Sequence, residues 1–375
     1  MIPKKILFLI HDLGHGGAEK VLVNLVNNMD RTKFDITVMA MFGGGVNEQF
    51  LNKDIRYKTV FKKMIPGNSH LMKLLSPRLL HKWFIKEKYD IEVAYLEGPS
   101  VRVISGCSDK NTKLVSWIHV EQHNMEKVAA SFRSSKEAVE CYQKFHRTIC
   151  VSETVKQDFT GIVPLNNPVE VLYNTNETAQ ILEKSQENVE GEVFVKDKFK
   201  LVGVGKIVPN KGFDRLARIH KKLIDEGYPV HTYILGEGKK KEELEKFLAE
   251  ENITDSFTFL GYQTNPYKYV ANCDLFVCSS FAEGFSTAAT EALIVGTPVV
   301  TTEVSGMKEM LGENDEWGIV TDNNEEALYR GIKKLLDDKN LLAHYKEKAA
   351  LRGKTFSTEN TVKAVEEMLY LIATN

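Results

Sequence analysis

The sequence predicts an α/β protein of two doubly wound, Rossmann-like domains in series, their sheet edges facing a central cleft. Three observations predict it. Short apolar runs alternate with amphipathic helical segments from end to end, the pattern of parallel sheets covered by helices. The series breaks once, in a polar stretch after Asn174, and then starts afresh. Glycine-bearing turns follow the first run of each series, at the strand ends where such folds bind ligands.

At 375 residues, 43% of them apolar and 27% charged, the chain is long enough for two cores. Its 49 basic and 51 acidic residues nearly cancel, so no global field recommends nucleic acid as a partner. Cys107, Cys141, Cys150, Cys273 and Cys278 lie mostly in apolar runs and read as reduced, buried thiols of a cytosolic protein. Cys273 and Cys278 fall on opposite sides of one predicted strand and so cannot share a metal. Residues 4–10 are too short for a signal peptide, and no apolar stretch approaches the ~20 residues of a membrane span. The expected place is the cytoplasm, with attachment at most to the inner face of the membrane.

In the first domain, residues 1–173, strands are expected at 6–10, 34–39, 91–95, 113–118, 148–151 and 169–172. Residues 174–198, rich in Glu, Lys, Ser and Asn, read as a linker. The second domain, 199–355, carries strands at 201–204, 231–235, 257–260, 275–277, 299–301 and 318–320. A last helix within 356–375 has no strand after it.

The most informative stretch runs from Cys278 to Glu291. Glu283 and Gly284 occupy a loop between an apolar strand and a helix, Ser286 is placed to cap that helix, and Glu291 lies about a turn inside it. Free N–H groups and the helix dipole favour an anion there. Two carboxylates held near an anion site suit a ligand with both phosphate and hydroxyls, a nucleotide sugar.

Other turns fall on the same predicted edges. After the first strand comes His11-Asp-Leu-Gly14-His-Gly16-Gly17-Ala-Glu19, a poor dinucleotide fingerprint but a loop whose glycines admit a close ligand. Lys206 and Lys211, in Gly205-Lys206…Lys211-Gly212, leave one strand end and meet the next helix, where each can neutralise a phosphate oxygen; solvated surface lysines are the competing reading. Gly236 and Gly238, and Gly261 with Tyr262, end the next two strands, the latter placed to present backbone to a base. His119 ends the run Leu114-Val-Ser-Trp-Ile-His119 and can donate to a sugar hydroxyl or a developing charge; a satisfied edge histidine is the alternative, and a metal role with His123 a third. The chain contains no Asp-x-Asp. From Lys62 to Lys88, seven basic residues and one acidic intermix with Leu71, Met72, Leu74, Leu75, Leu79, Leu80, Trp83 and Phe84, an amphipathic helix broken near Pro77 and a candidate contact with an anionic membrane surface.

Taken together, the Gly16-Gly17-Ala-Glu19 loop, the Lys206…Lys211 turn, the Gly236-Glu-Gly238 turn and the Glu283…Glu291 pair resemble, in this order, the retaining GT-B glycosyltransferases of the bacterial capsule, lipopolysaccharide and mannosyl-transfer type. The resemblance spans essentially the whole chain. It implies a UDP-sugar or similar donor, a lipid-linked or growing polysaccharide acceptor, retention of anomeric configuration and no metal or other cofactor. By resemblance, Glu291 holds the ribose hydroxyls, and Glu283 with Gly284 and the backbone of Phe285, Ser286 and Thr287 holds donor sugar and phosphate. Lys206 and Lys211 bind the diphosphate, Gly16 and Gly17 close over it, and His119 sits beside donor sugar and acceptor. The final helix is implied to pack back on the first domain. One departure is Lys206, where the family usually has arginine: lysine lacks the bidentate fork. A GT-B nucleotide-sugar epimerase and a catalytically silent partner subunit are the alternatives. The full set of Glu283, Glu291, Lys206, Lys211 and His119 disfavours the second, and the basic amphipathic segment disfavours the first.

Overall fold

Seven parallel strands form the first sheet: β1 (Lys4–Ile10), β2 (Phe34–Phe42), β3 (Arg56–Phe61), β4 (Ile91–Ala94), β5 (Lys113–Ile118), β6 (Arg147–Cys150) and β7 (Val169–Val171). Their order is β3-β2-β1-β4-β5-β6-β7. Six parallel strands form the second: β8 (Phe199–Val204), β9 (Val230–Leu235), β10 (Phe257–Gly261), β11 (Leu275–Cys278), β12 (Val299–Thr302) and β13 (Ile319–Thr321), ordered β10-β9-β8-β11-β12-β13. The computed structural model describes residues 3–63 and 72–374. It divides the chain into two compact units, Met1–Asn176 with Thr358–Asn375, and Glu177–Ser357.

The central strands are apolar because helices cover both faces. Ile6 to Ile10 of β1 are fully buried, as are Leu201 and Val202 of β8 and Leu275 of β11. The strand missing from the sequence reading is β3, an edge strand. Its residues are half-buried or exposed and include Arg56 and Lys58, so it has no apolar run to betray it.

Each sheet reverses direction of winding once, between β1 and β4 in the first unit and between β8 and β11 in the second. Ligands of open α/β sheets bind outside the carboxyl ends of the strands at such a switch point. Glu283 follows β11 and Lys206 follows β8, so both fall on the second switch point.

Two expectations are corrected. Residues 174–198 are not a plain linker: Thr178–Ser185 is a helix with Ile181 and Ser185 buried, packed on the helices Tyr267–Ala271 and Thr287–Ile294 of the second unit. Its polar composition concealed it because only a narrow stripe is covered. Cys273 precedes β11 rather than lying on it, and all five cysteines are free thiols.

The helix Thr358–Thr374 belongs to the first unit. Glu366 Oε1 accepts from the Asp30 backbone N–H at 2.6 Å and its Oε2 from Lys33 Nζ at 3.3 Å, while Val365 and Leu369 are buried. Among the described residues no helix is long and apolar enough to cross a membrane.

Of the segment from Lys62 to Lys88, residues 64–71 lie outside the described residues. Of the rest, residues 72–74 are helical and Pro77–Phe84 forms a short helix, with proline in its first turn and Ser76 accepting from the Leu79 N–H. The apolar set splits: Met72, Leu80 and Phe84 are buried, whereas Leu74 is 75%, Leu79 54% and Trp83 53% exposed. Buried Arg102 donates to the carbonyls of Met72 and Leu75 at 2.7 Å each, and Arg133 to those of Lys73 and Leu74 at 2.6 and 2.7 Å. Leu74 therefore projects from a turn whose carbonyls are clamped.

Candidate active site

In the second unit the chain leaves β8 through a 3-10 turn, Pro209–Lys211, and enters the helix Phe213–Asp225. The loop after β11 crosses it. Phe281 N–H donates to the Asn210 carbonyl at 2.8 Å and Ser279 Oγ to the Lys211 carbonyl at 3.0 Å. Gly212, at φ 64°, makes the crossing feasible: a Cβ there would stand 2.0 Å from the Ser279 carbonyl oxygen.

That crossing brings together two side chains 72 residues apart. Lys211 Nζ donates to Glu283 Oε1 at 2.5 Å, and Ser280 Oγ donates to the same oxygen at 2.6 Å. Burial works against the charge on Lys211, but the Glu283 carboxylate more than offsets it and holds the ammonium above its ordinary pKa. Lys206 is exposed and forms no ion pair with the described residues. One ammonium is thus held in place and the other is open to solvent.

Behind the loop, buried Arg215 lies 3.8 Å from the centre of the Phe281 ring and donates to Asn323 Oδ1 at 2.9 Å; Asn323 in turn donates to the Phe281 carbonyl at 3.1 Å. Thr302 Oγ1 donates to the Ser280 carbonyl at 2.6 Å. These bonds fix the strand-end backbone that carries Glu283.

Ser286 caps the helix Thr287–Ile294, its hydroxyl accepting from the Ala289 N–H at 3.4 Å. Gly284 and Phe285 precede the cap and are buried. Glu291 is on the second turn of that helix, 8% exposed, with Tyr267 OH 3.5 Å from its Oε1. The neighbouring strand ends are knitted together: Gly236 N–H donates to the Gly261 carbonyl at 2.8 Å and Gly205 N–H to that of Leu235 at 2.9 Å. A Cβ on Gly236 would meet the Gly205 carbonyl at 1.9 Å, so this contact requires glycine. Tyr262, just past β10, is 49% exposed.

In the first unit, Gly16 is the N-cap and Gly17 the first residue of the helix Gly17–Asn28. The preceding turn is set by Asp12, whose Oδ1 accepts from Gly14 N–H at 2.7 Å and whose Oδ2 lies 2.6 Å from His11 Nδ1. His119 stands at the end of β5 and is 7% exposed. Its ring is 4.9 Å from that of Tyr95 and stacks at 6.4 Å on Trp117, and its Nε2 has no partner among the described residues. Burial lowers its pKa to about 3, so it is a neutral imidazole at any physiological pH. It can hydrogen-bond a hydroxyl but cannot meet a developing negative charge as a cation.

Two clusters of potential ligand atoms occur among the described residues, His81–Glu92–Cys107 and Glu121–His123–Asp158, each within 4.8 Å. Both have internal uses. His81 Nε2 is 2.8 Å from buried Glu92, and Asp158 accepts the backbone N–H groups of Gln122 and His123 at 2.6 and 3.0 Å.

The sequence reading overlooked three residues of the second unit, Ser280, Arg215 and Tyr267, and one of the first, Glu97, whose Oε2 accepts from the His119 backbone N–H at 3.1 Å. Ser280 was legible as a hydroxyl beside Glu283 in the run Cys278-Ser-Ser. Glu97 follows a strand and precedes a glycine, as Glu283 does. Arg215 and Tyr267 act across distances that no local pattern reveals.

Two doubly wound parallel sheets in one chain are the architecture of the GT-B glycosyltransferases. Residues 184–352 match the family described as Glycosyl transferases group 1, and residues 15–180 match Glycosyltransferase Family 4. The chain belongs to this glycosyltransferase family, its first unit formed from the second of these domains and its second unit from the first. It is similar to the N-acetylgalactosamine-N,N'-diacetylbacillosaminyl-diphospho-undecaprenol 4-alpha-N-acetylgalactosaminyltransferase of Campylobacter jejuni, at 28% identity over 94% of this chain and 96% of that protein. It is also similar to the lipopolysaccharide core biosynthesis glycosyltransferase LpsD of Rhizobium meliloti, at 22% identity over 96% of this chain and 95% of that protein. Among solved structures, Anabaena HepE with UDP and glucose matches with a TM-score of 0.76 and 19% identity, over 98% of this chain and 99% of that one. The sucrose-phosphate synthase of Thermosynechococcus elongatus matches with a TM-score of 0.78 and 15% identity, over 99% and 100%.

Proposed function

We propose that this glycosyltransferase moves a sugar from a UDP-sugar to a lipid-linked or growing glycan in the assembly of a cell-surface polysaccharide, with retention and without a metal. The observation that carries the reading is the Lys211–Glu283 pair at the switch point of the second sheet, with Lys206 open beside it and Glu291 buried on the adjoining helix. An incoming diphosphate replaces Glu283 as the partner of Lys211, in charge-assisted hydrogen bonds of about 1.5–3 kcal/mol each. Glu283, released, accepts from donor-sugar hydroxyls, while Glu291 accepts from the ribose. The N-terminus of the helix Thr287–Ile294 adds positive potential for phosphate. Charge on the departing diphosphate is then met by the lysines and that helix terminus.

The acceptor class is supported by the relatives, one named for an undecaprenol-linked diphospho-sugar and another for the lipopolysaccharide core. It is supported as well by the surface around Pro77–Phe84, where exposed Leu74, Leu79 and Trp83 stand among Lys73, Arg78, Lys82 and Lys86. Apolar side chains rimmed by basic ones suit an anionic lipid face. The test is a thermal-shift screen of UDP-, GDP- and ADP-sugars, followed by NMR of the product. At about 100 times its dissociation constant the true donor stabilises by about 2.7 kcal/mol. A preference for a non-uridine donor, or a β-linked product from an α-linked donor, contradicts the reading.

A further inference from the structure

The first unit holds a cluster of polar side chains that the transfer chemistry does not use. Glu92, the second residue of β4, is 2% exposed, and a buried carboxylate is costly unless it is paired. Its Oε2 lies 2.8 Å from Nε2 of His81, on the helix Pro77–Phe84. Cys107 joins them from the turn that ends the helix Pro99–Ile104, where its N–H donates to the Ile104 carbonyl at 3.0 Å. That helix runs back from the carboxyl end of β4, so the cluster stands at the edge of the sheet opposite the switch-point loops. Gly106 permits the convergence: a Cβ there would stand 2.0 Å from the Pro77 carbonyl oxygen, and Pro77 is one turn from His81 on the same helix.

The imidazole nitrogen, the carboxylate oxygen and the sulfur all lie within 4.8 Å of one another. Ligand atoms of a tetrahedral Zn²⁺, each about 2.0–2.3 Å from the ion, stand roughly 3.3–3.7 Å apart, so small side-chain rotations bring all three onto one ion. The donor set selects that ion. Mg²⁺ and Ca²⁺ take oxygen ligands, whereas a mixed nitrogen, oxygen and sulfur set suits zinc. Charge balances as well: ionised Glu92 and a Cys107 thiolate offset the dication, and His81 binds as the neutral imidazole. Binding displaces the thiol proton and the hydrogen at His81 Nε2. His81 and Cys107 are only half-buried, which leaves a path from solvent and a fourth position for water. The other four cysteines are buried.

We propose that His81 Nε2, Glu92 Oε2 and Cys107 Sγ form a structural Zn²⁺ site, separate from the transfer chemistry, that pins the helix Pro77–Phe84 to the first sheet. The same helix turns Leu79 and Trp83 outward, so the ion fixes the base of the apolar and basic surface they belong to.

The test uses the full chain without a histidine tag, reduced and stripped of metal, beside Cys107→Ser, His81→Ala and the control His123→Ala. Zn²⁺ alone is the titrant in calorimetry, and Co²⁺ alone in absorption spectroscopy. The parent binds one Zn²⁺, and the ion at about 100 times its dissociation constant raises Tm by roughly 5–10 °C. Cys107→Ser and His81→Ala each weaken Zn²⁺ by about a hundredfold or more, since even partners outside the ligand shell are worth about 10–100-fold. His123→Ala binds as the parent does. Co²⁺ gives a thiolate charge-transfer band with the parent and none with Cys107→Ser. Circular dichroism of the metal-free variants reports their folding; if His81→Ala fails to fold, Cys107→Ser and the cobalt band decide. No Zn²⁺ bound by the parent overturns the proposal and leaves a His81–Glu92 ion pair. Binding that Cys107→Ser retains overturns it too, as does binding that His123→Ala abolishes, which would place the ion at Glu121, His123 and Asp158.

Discussion

The two units share a topology and differ in the chemistry at its switch point. In the second, the glutamate after β11 is paired with Lys211, Lys206 is exposed nearby, and Glu291 waits on the helix. In the first, the glutamate after β4, Glu97, forms no ion pair with the described residues, and a neutral histidine lies against two aromatic rings. The winding of the sheet selects where a ligand sits, and the side chains that the loops bring there select which ligand. A duplicated architecture thus offers one cationic end, with Lys206 and Lys211, and one end whose histidine is neutral.

The largest expected effect is at the cationic end. Lys211→Ala removes a held ammonium and leaves Glu283 without its partner, so kcat/KM falls about 10²–10³-fold, the scale for losing a preorganised charge-stabilising donor. Steady-state kinetics check it, and a loss of less than threefold refutes the role. Next in size is the basic surface of the first unit around Pro77–Phe84. Replacing Lys73, Arg78, Lys82 and Lys86 with Ser removes about 1 kcal/mol apiece of attraction to anionic lipid. Cosedimentation with phosphatidylserine-containing vesicles at low salt is then abolished while UDP affinity is kept; vesicle binding unchanged by the substitutions removes the membrane surface from the account.

The two glutamates of the second unit sharpen the contrast further. Glu291→Ala weakens UDP about tenfold or more, whereas Glu283→Ala lowers turnover with UDP affinity retained. The reverse pattern in calorimetry exchanges their roles. At the first unit's end the expected signal is an absence of titration. His119, with a pKa near 3 against 6.5 for a free histidine, keeps constant imidazole resonances from pH 5 to 8. The sign for stability follows: the unfolded chain takes up this proton below about pH 6.5 and the folded one does not until about pH 3, so His119 makes the fold less stable as pH falls through that window. A resonance titrating near pH 6.5 would show it to be solvated and chargeable. Smallest of all is the effect of EDTA, which leaves activity close to its starting value if lysines and a helix terminus replace a metal; full loss restored by Mg²⁺ or Mn²⁺ reverses that.

Much of this contrast was legible in the amino-acid order because it rests on local signals. Apolar runs marked twelve strands, and loops with glycine marked their carboxyl ends. Ser286 capping and the helical position of Glu291 followed from one-turn spacing. β3 was hidden because an edge strand alternates polar and apolar residues, and the helix Thr178–Ser185 because its covered stripe is narrow. The Lys211–Glu283 contact was beyond local pattern. It depends on β8 and β11 being neighbours although two strands intervene in the chain. The neutral state of His119 was equally hidden, since it is set by burial, to which Tyr95 contributes from the end of another strand.

Hydrogen exchange measured by mass spectrometry, with and without saturating UDP, tests most directly that the nucleotide belongs to the cationic end. The account predicts that UDP protects residues 205–212 and 279–294 most strongly and leaves residues 113–124 at their ligand-free rates. Protection centred on 113–124, with 205–212 and 279–294 exchanging as before, would contradict it.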